Sequence, residues 1–328
     1  KDEKGFWTFP SQLLSPELYS YNFLLDGVKI VDPGSVYITR DITSETNIFI
    51  LSDKKGDCGD LYTVNEVPHG NVSKVWYDSP TLKMQRRMTV YTPAGYDKGK
   101  DYPVLYLLHG AGGDEDAWTT LGRAQHILDN LIATGKAKPM VVVMTNGNPN
   151  CQAAPGEWSA GQYIPSFYGY QGAKPAATMD ESFPDVMNYV ENHYKVAKDK
   201  AHRAICGLSM GGGHSFDISR RFPTKFDYIG LFSAGLHVST TGDFRNDFYK
   251  QLQGNEEAKT QLATLFKNKP KLYWIGMGKT DFLYKSSADL RRYFDEKGYK
   301  YTYLETEGGH IWRNWRVYLT EFAQKIFK

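Results

Sequence analysis

The chain has 328 residues, of which 41% are hydrophobic and 14% aromatic, and its formal net charge is only +2. This balance gives no electrostatic reason to expect a nucleic-acid or anionic-membrane partner, and no apolar run reaches the ~20 residues of a membrane-spanning helix. The length allows one large domain or two of modest size. The three cysteines follow no metal-ligand or redox spacing, so we expect neither a disulfide framework nor a metal centre.

The first 75 residues have the alternating pattern of β-strands. Apolar and polar residues alternate in YSYNFLL, VYITR and TNIFIL, and this pattern is broken by the turn signals Asp26-Gly27, Asp32-Pro33-Gly34 and Cys58-Gly59. We therefore predict a small antiparallel β-sandwich over residues 1–75.

From about residue 76 the pattern changes to apolar strands that alternate with amphipathic helices. The strand candidates are KVWYDS, RRMTVYTP, PVLYLLHG, MVVVMTNG, HRAICG, YIGLFSAG, KLYWIGMG and KYTYLETEGG. Buried strands separated by helices are typical of a mainly parallel sheet covered on both faces. The prediction for residues 76–328 is an α/β domain with an eight-stranded sheet, with its chemistry at the carboxyl ends of the strands.

Residues 147–180 interrupt this rhythm. They have no clear period, are rich in glycine, proline and aromatic residues, and exceed the usual length of a loop. Disorder is one interpretation, but the aromatic content favours an ordered flap beside the site. Its predicted substrate-facing side chains are Trp158, Phe167 and Tyr168.

The segment ICGLSMGGG, residues 205–213, places a serine between two glycines, after a predicted strand and before a predicted helix. In this setting the G-x-S-x-G pattern predicts a nucleophile elbow, a sharp turn that exposes the Ser209 hydroxyl at the end of the sheet. The helix beginning at Met210 would direct backbone N–H groups at a developing oxyanion. The alternative is a turn with a helix-capping serine.

A serine nucleophile needs a base and an acid that orients the base, and in this topology the acid and then the histidine follow the serine. His310, in TEGGHIWRNW, follows a predicted strand and two glycines and is the predicted base. Asp281 follows the strand KLYWIGMG and is the predicted acid, with a helix N-cap as its alternative role. Glu305 and Glu307 share the strand or loop of His310, which makes a bond to its ring awkward.

The second oxyanion donor is expected from the glycine-rich segment LLHGAGGDEDAW. We assign it to the N–H of Ala111, with Met210 as the other donor. His109 is expected to brace this loop rather than to react.

With these residues placed, the chain resembles the carbohydrate esterase family 1, or esterase D-like, branch of the α/β-hydrolases. The matching segments are LLHGAGGDEDAW, HRAICGLSMGGGHSF, IGMGKTDFLY and EGGHIWRNWR, spread over most of residues 76–328. The resemblance implies hydrolysis without a metal or organic cofactor. It also implies a triad, two oxyanion donors and two site-lining aromatic residues: Ser209, Asp281 and His310; Ala111 and Met210; Trp118 and Trp312.

That branch includes feruloyl and acetylxylan esterases, and siderophore esterases are its relatives. The resemblance implies a serine esterase that releases ferulic or related hydroxycinnamic acids from plant cell-wall xylan. Acetylxylan and a siderophore's catecholate trilactone are the alternative substrates, and transfer to another alcohol would use the same acyl-enzyme. An inactive carbohydrate-binding protein is disfavoured by the complete triad. A secreted or periplasmic location follows from such substrates, not from a signal in the sequence, and the oligomeric state is not indicated.

The segment YSYNFLLDGVKIVDPGS resembles the early-set modules of the glycogen-binding type that precede the catalytic domain in some feruloyl esterases. The resemblance implies either a carbohydrate-binding module or a domain that only docks and positions the esterase. Because its strand pattern starts late, we expect an incomplete sugar-binding face.

Overall fold

The computed structural model describes residues 2–5, 8, 10, 12–159, 175–238 and 247–328. Its central feature is an eight-stranded sheet in the order β13-β12-β11-β10-β8-β9-β7-β6. The six strands from β13 to β9 run parallel, and β7 and β6 complete the sheet in antiparallel pairings. These strands are β6 (Asn71–Ser79), β7 (Met84–Thr92), β8 (Val104–Leu108), β9 (Val141–Thr145), β10 (Arg203–Leu208), β11 (Tyr228–Phe232), β12 (Leu272–Gly278) and β13 (Thr302–Thr306).

Helices cover both faces of this sheet, so the predicted α/β fold and its eight strands are confirmed. The helices of this part are α2 (Ala117–Thr120), α3 (Ala124–Ala133), α4 (Met179–His193), α5 (Met210–Arg221), α6 (Phe248–Gln253), α7 (Glu256–Lys267), α8 (Tyr284–Lys297) and α9 (Trp312–Ala323). None of the helices in the described ranges combines the length and apolar content that crossing a membrane requires.

The strand β8 illustrates why the central strands are apolar throughout. All five of its residues are buried. Val104, Tyr106 and Leu108 belong to the core cluster on one face, whereas Leu105 and Leu107 belong to the cluster on the other. Because successive side chains point to opposite faces, a strand covered on both sides must be apolar at every position.

The N-terminal region forms a separate small β unit. An antiparallel sheet has the order β1-β5-β4, and β2 pairs with β3 as a two-stranded hairpin. The elements are β1 (Glu17–Tyr21), β2 (Phe23–Leu25), β3 (Val28–Ile30), β4 (Ile38–Asp41), β5 (Ser44–Leu51) and α1 (Cys58–Tyr62). The β-rich character agrees with the sequence prediction, although this unit consists of one three-stranded sheet and a two-stranded hairpin.

The boundary predicted at residue 75 falls inside β6. This strand pairs with β7 from Asn71 to Ser79, so residues 71–75 belong to the large sheet. The exposed start of β6, NVSK, carries polar residues on an edge strand, and its pattern therefore gave no sign that the large sheet had begun. The structure moves the start of the α/β part back to residue 71.

Candidate active site

The serine of the G-x-S-x-G segment lies at a tight turn between β10 and α5. Ser209 has φ 52° and ψ −115°, a left-handed region that non-glycine residues rarely occupy. A Cβ on Gly207 would lie 2.5 Å from the Gly211 carbonyl oxygen, and one on Gly211 would lie 2.5 Å from the His109 carbonyl oxygen. Both flanking positions must therefore be glycine, because the turn and the strand β8 approach too closely for a side chain.

Backbone bonds hold this turn against the loop after β11. The Ser209 N–H donates to the Phe232 carbonyl at 2.9 Å, and the Gly235 N–H donates to the Ser209 carbonyl at 2.8 Å. The Ser209 side chain makes no capping bond to α5, which disagrees with its alternative role as a helix cap. Strain that the surrounding structure maintains at a turn of this kind is typical of functional sites.

The predicted base and acid meet at the carboxyl end of the same sheet, after two parallel strands. Asp281 follows β12 and His310 follows β13, two strands that are neighbours in the sheet. The His310 Nδ1 atom lies 2.9 Å from Oδ2 and 3.0 Å from Oδ1 of Asp281. Asp281 is 4% exposed, so its carboxylate is shielded from water and can fix the orientation of the imidazole.

Backbone pairing of the two loops sets this geometry. The Thr280 N–H donates to the Gly308 carbonyl at 3.0 Å, and the Asn314 side chain on α9 donates to the Gly309 carbonyl at 2.9 Å. The Leu283 N–H donates to Oδ1 of Asp281 at 2.9 Å. Leu283, rather than Asp281, is the N-cap residue of α8. Sequence analysis missed Asn314, because its role is visible only once α9 lies against the loop.

The two glutamates close to His310 in sequence have other partners. Glu305 accepts hydrogen bonds from the hydroxyls of Tyr284 and Tyr303 at 2.8 and 2.9 Å, and Glu307 forms an ion pair with Lys279. These contacts support the choice of Asp281 as the acid. In the described part of the chain, the Ser209 hydroxyl and His310 are not hydrogen-bonded to each other; such bonds often form only when substrate is present.

The glycine-rich loop after β8 runs beside the serine. A Cβ placed on Gly110 would lie 3.2 Å from the Ser209 Cβ. Ala111 is exposed, and Met210 is the first residue of α5, so its N–H is one of those that lack an intrahelical acceptor. This placement is compatible with the two predicted oxyanion donors, whose role stays a prediction.

The ring of His109 links this loop to the one after β9. Nδ1 lies 2.7 Å from the Gly110 carbonyl oxygen, and Nε2 accepts the Gly147 N–H at 2.8 Å. The ring is therefore neutral, with its proton on Nδ1. His109 is 1% exposed, and desolvation lowers the pKa of its imidazole. These contacts agree with a bracing role.

The buried neutral His109 should make stability depend on pH. Its pKa in the folded protein lies below the ordinary value of 6.5, so unfolded chains bind the proton first and stability falls as the pH drops below about 6.5. His214 acts in the same direction, because desolvation lowers its pKa to about 4. We expect His109→Gln to reduce the loss of stability between about pH 7.5 and pH 5. Urea unfolding of both proteins at each pH measures this, and an unchanged loss would contradict it.

A buried ion-pair network involves the acidic residues 114–116, at the end of the glycine-rich loop after β8. The Arg87 guanidinium donates to Glu115 at 2.6 Å and to Asp116 at 2.9 Å, and Asn146 donates to the second oxygen of Glu115 at 2.9 Å. Arg87 and Glu115 are 2% and 0% exposed. Burial, followed by repulsion from Asp114, raises the pKa of Glu115. These pairings could not be predicted from the sequence, because Arg87 and Glu115 are distant in the chain.

Removing the guanidinium from this network should weaken the fold. Arg87→Met leaves Glu115 buried without its cation, and we expect the free energy of unfolding to fall by about 3–5 kcal/mol. Lys74→Met is the matched control, because Lys74 pairs with Asp116 at 2.8 Å from an exposed position, and should cost under about 1 kcal/mol. Urea unfolding followed by tryptophan fluorescence compares the two variants. Equal losses would contradict the special role of the buried pair.

The predicted aromatic residues fall in different places. Trp118 is 1% exposed and its indole N–H donates to the Leu108 carbonyl at 2.9 Å, so it lies in the core and the prediction of a substrate-lining position is wrong. Trp312 is half-buried, with ring centroids 5.3 Å from Trp118 and 5.2 Å from Trp315. The Trp315 ring in turn packs 4.9 Å from His310. Trp315 therefore packs directly against the base, and Trp312 and Trp118 continue the aromatic packing behind it.

The remaining aromatic candidates differ in what the structure shows of them. Trp158 lies within the predicted flap and is 85% exposed, whereas Phe167 and Tyr168 lie outside the described residues. Phe282, which sequence analysis missed, is 53% exposed and its ring centroid lies 4.6 Å from that of His310. Its position directly after the predicted acid was the available signal. Within the described ranges, no group of three or more His, Cys, Asp or Glu residues is arranged to hold a metal ion.

A parallel sheet with a serine elbow, and an Asp–His pair at neighbouring strand ends, is the architecture of the α/β-hydrolase class. Residues 79–326 match the model of the family Esterase, described as "Putative esterase". The chain therefore belongs to this esterase family and is a carboxylic ester hydrolase.

Curated relatives agree with this assignment. The whole chain aligns at 32% identity over 339 residues with the endo-1,4-beta-xylanase/feruloyl esterase of Xylanibacter ruminicola, and spans 41% of that protein's length. A second relative, the acetyl esterase of Caldicellulosiruptor saccharolyticus, is 23% identical over 271 residues, covering 76% of this chain and 90% of the relative.

Solved structures share the fold. A CE1 ferulic acid esterase from Anaeromyces mucronatus superposes with a TM-score of 0.61 at 25% identity, covering 82% of this chain and 96% of the other. The enterobactin esterase of Shigella flexneri superposes with a TM-score of 0.60 at 14% identity, covering 90% of this chain and 69% of the other. At this low identity, the similarity to the enterobactin esterase shows a shared fold only.

Proposed function

We propose that this esterase releases ferulic or related hydroxycinnamic acids from plant cell-wall xylan. The observation that carries the proposal is the end-to-end alignment at 32% identity with a xylanase/feruloyl esterase, on a chain with an elbow serine and a bonded Asp281–His310 pair. Because the chain spans 41% of that relative, any xylanase activity of the relative is not transferred.

Acylation would begin at Ser209. Its hydroxyl oxygen attacks the ester carbonyl carbon while Nε2 of His310 takes the hydroxyl proton. Asp281 accepts the Nδ1–H of His310, which keeps Nε2 free to act as the base and stabilises the imidazolium that forms. The carbonyl oxygen becomes an oxyanion, which the N–H groups of Ala111 and Met210 bind.

Collapse of the tetrahedral intermediate breaks the bond between the carbonyl carbon and the sugar oxygen. His310 gives its proton to that departing oxygen, so the sugar leaves as an alcohol. A water molecule then attacks the acyl-enzyme, with His310 taking one of its protons. The second collapse returns the proton to Ser209 and releases the hydroxycinnamic acid. No metal or organic cofactor enters these steps.

The phenolic ring of the acyl group would lie against aromatic side chains at the mouth of the site. Support comes from Phe282, whose exposed ring packs against His310, and from the exposed ring of Trp158 and the half-buried ring of Trp312. The predicted contacts of Phe167 and Tyr168 belong to the same proposal. The N-terminal β unit would bind or position the polysaccharide, and a secreted or periplasmic location suits such a substrate.

Product analysis tests the proposal. The protein is incubated with feruloylated arabinoxylan oligosaccharides and with acetylated xylan, and the released acids are separated by chromatography. We expect ferulate release, with kcat/KM at least about tenfold above that for acetate, a difference of about 1.4 kcal/mol in transition-state binding. Release of acetate without ferulate would replace the proposal by an acetylxylan esterase. The Ser209→Ala variant is the blank for both substrates.

A further inference from the structure

An arginine from the N-terminal β unit reaches the oxyanion loop, defined here as residues 109–116. Arg40 is the third residue of β4 and precedes Asp41, after which a two-residue turn leads into β5. One of its terminal nitrogens, Nη2, forms an ion pair with Oδ2 of Asp114. The other, Nη1, donates to the Ile42 carbonyl at 2.8 Å. The guanidinium therefore joins the hairpin turn to a loop that lies 74 positions away in sequence.

Asp114 shapes the oxyanion loop from within. It is 2% exposed, and its Oδ1 accepts the Asp116 N–H at 2.9 Å. The carbonyl of Asp114 accepts the Ala117 N–H at 3.1 Å, which leads the chain into α2. The predicted donor Ala111 lies three residues before Asp114. A buried carboxylate needs a cation to stay charged at low cost, and in the described part of the chain Arg40 is the ion-pair partner of this one.

The hairpin turn shows the strain expected of a constrained contact. Ile42 has φ 55°, and a β-branched residue is a genuine outlier in that region. The bond from Arg40 to the Ile42 carbonyl holds this conformation. Strain of this kind persists where the surrounding structure over-determines it, often at functional sites.

The N-terminal unit is also anchored beside the predicted base. Glu17 of β1 pairs with Arg316 of α9 at 3.0 Å, and both residues are nearly fully buried. Arg316 also donates to the Leu121 carbonyl at 3.0 Å. Helix α9 begins two residues after His310. Because β1 and β4 belong to the same sheet, this ion pair links the sheet that carries Arg40 to the helix that follows the predicted base.

We propose that Arg40 is a positioning residue of the oxyanion hole, acting through Asp114 on the Ala111 N–H. The N-terminal β unit is then part of the catalytic machinery, whether or not it binds sugar. This inference rests on the proposed serine mechanism but not on the identity of the acyl group. It predicts that the loss of Arg40 lowers the rate of the chemical step for every ester, including small ones.

Steady-state kinetics of Arg40→Gln test this with 4-nitrophenyl acetate and methyl ferulate. We expect kcat to fall about tenfold or more on both substrates, with KM changed less than about twofold, because misplacing an oxyanion donor weakens transition-state binding alone. Arg40→Lys, which restores the charge, should recover most of the loss. Arg313→Ala is the matched control, since Arg313 pairs with Glu17 at 3.5 Å at the same interface without touching the loop. It should retain wild-type kcat.

The two substrates separate this inference from the proposed function. Failure on methyl ferulate by the wild-type protein, with the Arg40 effect intact on 4-nitrophenyl acetate, would reject the feruloyl assignment only. A folded Arg40→Gln variant with wild-type kcat on 4-nitrophenyl acetate would overturn the positioning role. An equal loss in Arg313→Ala would also overturn it, since docking alone would then explain the effect.

Amide hydrogen exchange provides a readout that does not depend on turnover. In Arg40→Gln the peptides covering residues 109–116 should exchange faster, while those covering β10 and the start of α5 should not. If Arg40→Gln does not fold, Arg40→Lys is measured in the same way and should show a smaller increase in the same peptides. Unchanged protection of residues 109–116 would contradict the proposal.

Discussion

Ser209→Ala is expected to lower kcat for ester hydrolysis on the order of 10⁵-fold or more, because no other group can form the acyl-enzyme. The residual rate would come from binding and from the oxyanion donors. Stability should change little, since alanine meets the same backbone strain at φ 52° and the serine hydroxyl makes no cap bond. Turnover of methyl ferulate by the purified variant, with wild-type protein excluded by mass spectrometry, gives the measurement.

A second serine provides the matched control. Ser287 on α8 is 2% exposed, and among the described residues its hydroxyl has no hydrogen-bond partner. Ser287→Ala should therefore keep wild-type turnover, because it removes a buried hydroxyl that bonds to nothing and lies outside the site. Appreciable hydrolysis by Ser209→Ala would remove the serine mechanism and, with it, the roles assigned to His310 and Asp281.

Asp281→Asn is expected to lower kcat by about 10⁴-fold with little change in KM. The carboxylate now accepts the Nδ1–H of His310 at 2.9–3.0 Å. An amide group can donate to Nδ1 instead, which moves the ring proton to Nε2 and blocks proton transfer from Ser209. It also removes the negative charge that stabilises the imidazolium. Single-turnover kinetics with 4-nitrophenyl acetate, read as the rate of acylation, isolate this step.

Glu305→Gln tests the competing acid. Glu305 lies closer to His310 in sequence, but its carboxylate is bonded to two tyrosine hydroxyls. We expect its kcat to stay within about twofold of wild type, since the interaction lost is an exposed hydrogen-bond pair away from the ring. A large loss in Glu305→Gln beside a small one in Asp281→Asn would reverse the assignment of the acid.

Much of the fold could be predicted because its signals are local. Every residue of β8, β9 and β11 is buried, and each appears in the sequence as a continuous apolar segment. The edge strand β6 was placed too late, because one of its faces meets solvent and its first four residues are exposed and mostly polar. Continuous apolar segments in the sequence therefore predict central strands well, whereas edge strands lack this signal and are predicted poorly.

The candidate site divides in the same way. Ser209 and the glycines around it were recognisable because the strained turn requires them within five residues. His310 and Asp281 were found by their order and by their positions after strands. The burial of Trp118, the exposed ring of Phe282 and the contact of Asn314 with the Gly309 carbonyl were not predicted. Each depends on which segments the fold brings together.

The sequence by itself determined the α/β architecture, the elbow and the order of the reacting residues, since periodicity and short motifs are properties of neighbouring positions. Only the tertiary structure showed the Asp281 carboxylate bonded to the His310 ring and Glu305 bonded to two tyrosines, because these contacts depend on the pairing of the loops after β12 and β13. It alone showed that Arg40 neutralises Asp114. Charges along a chain reveal which groups need partners when buried, but the partner is set by packing between distant segments.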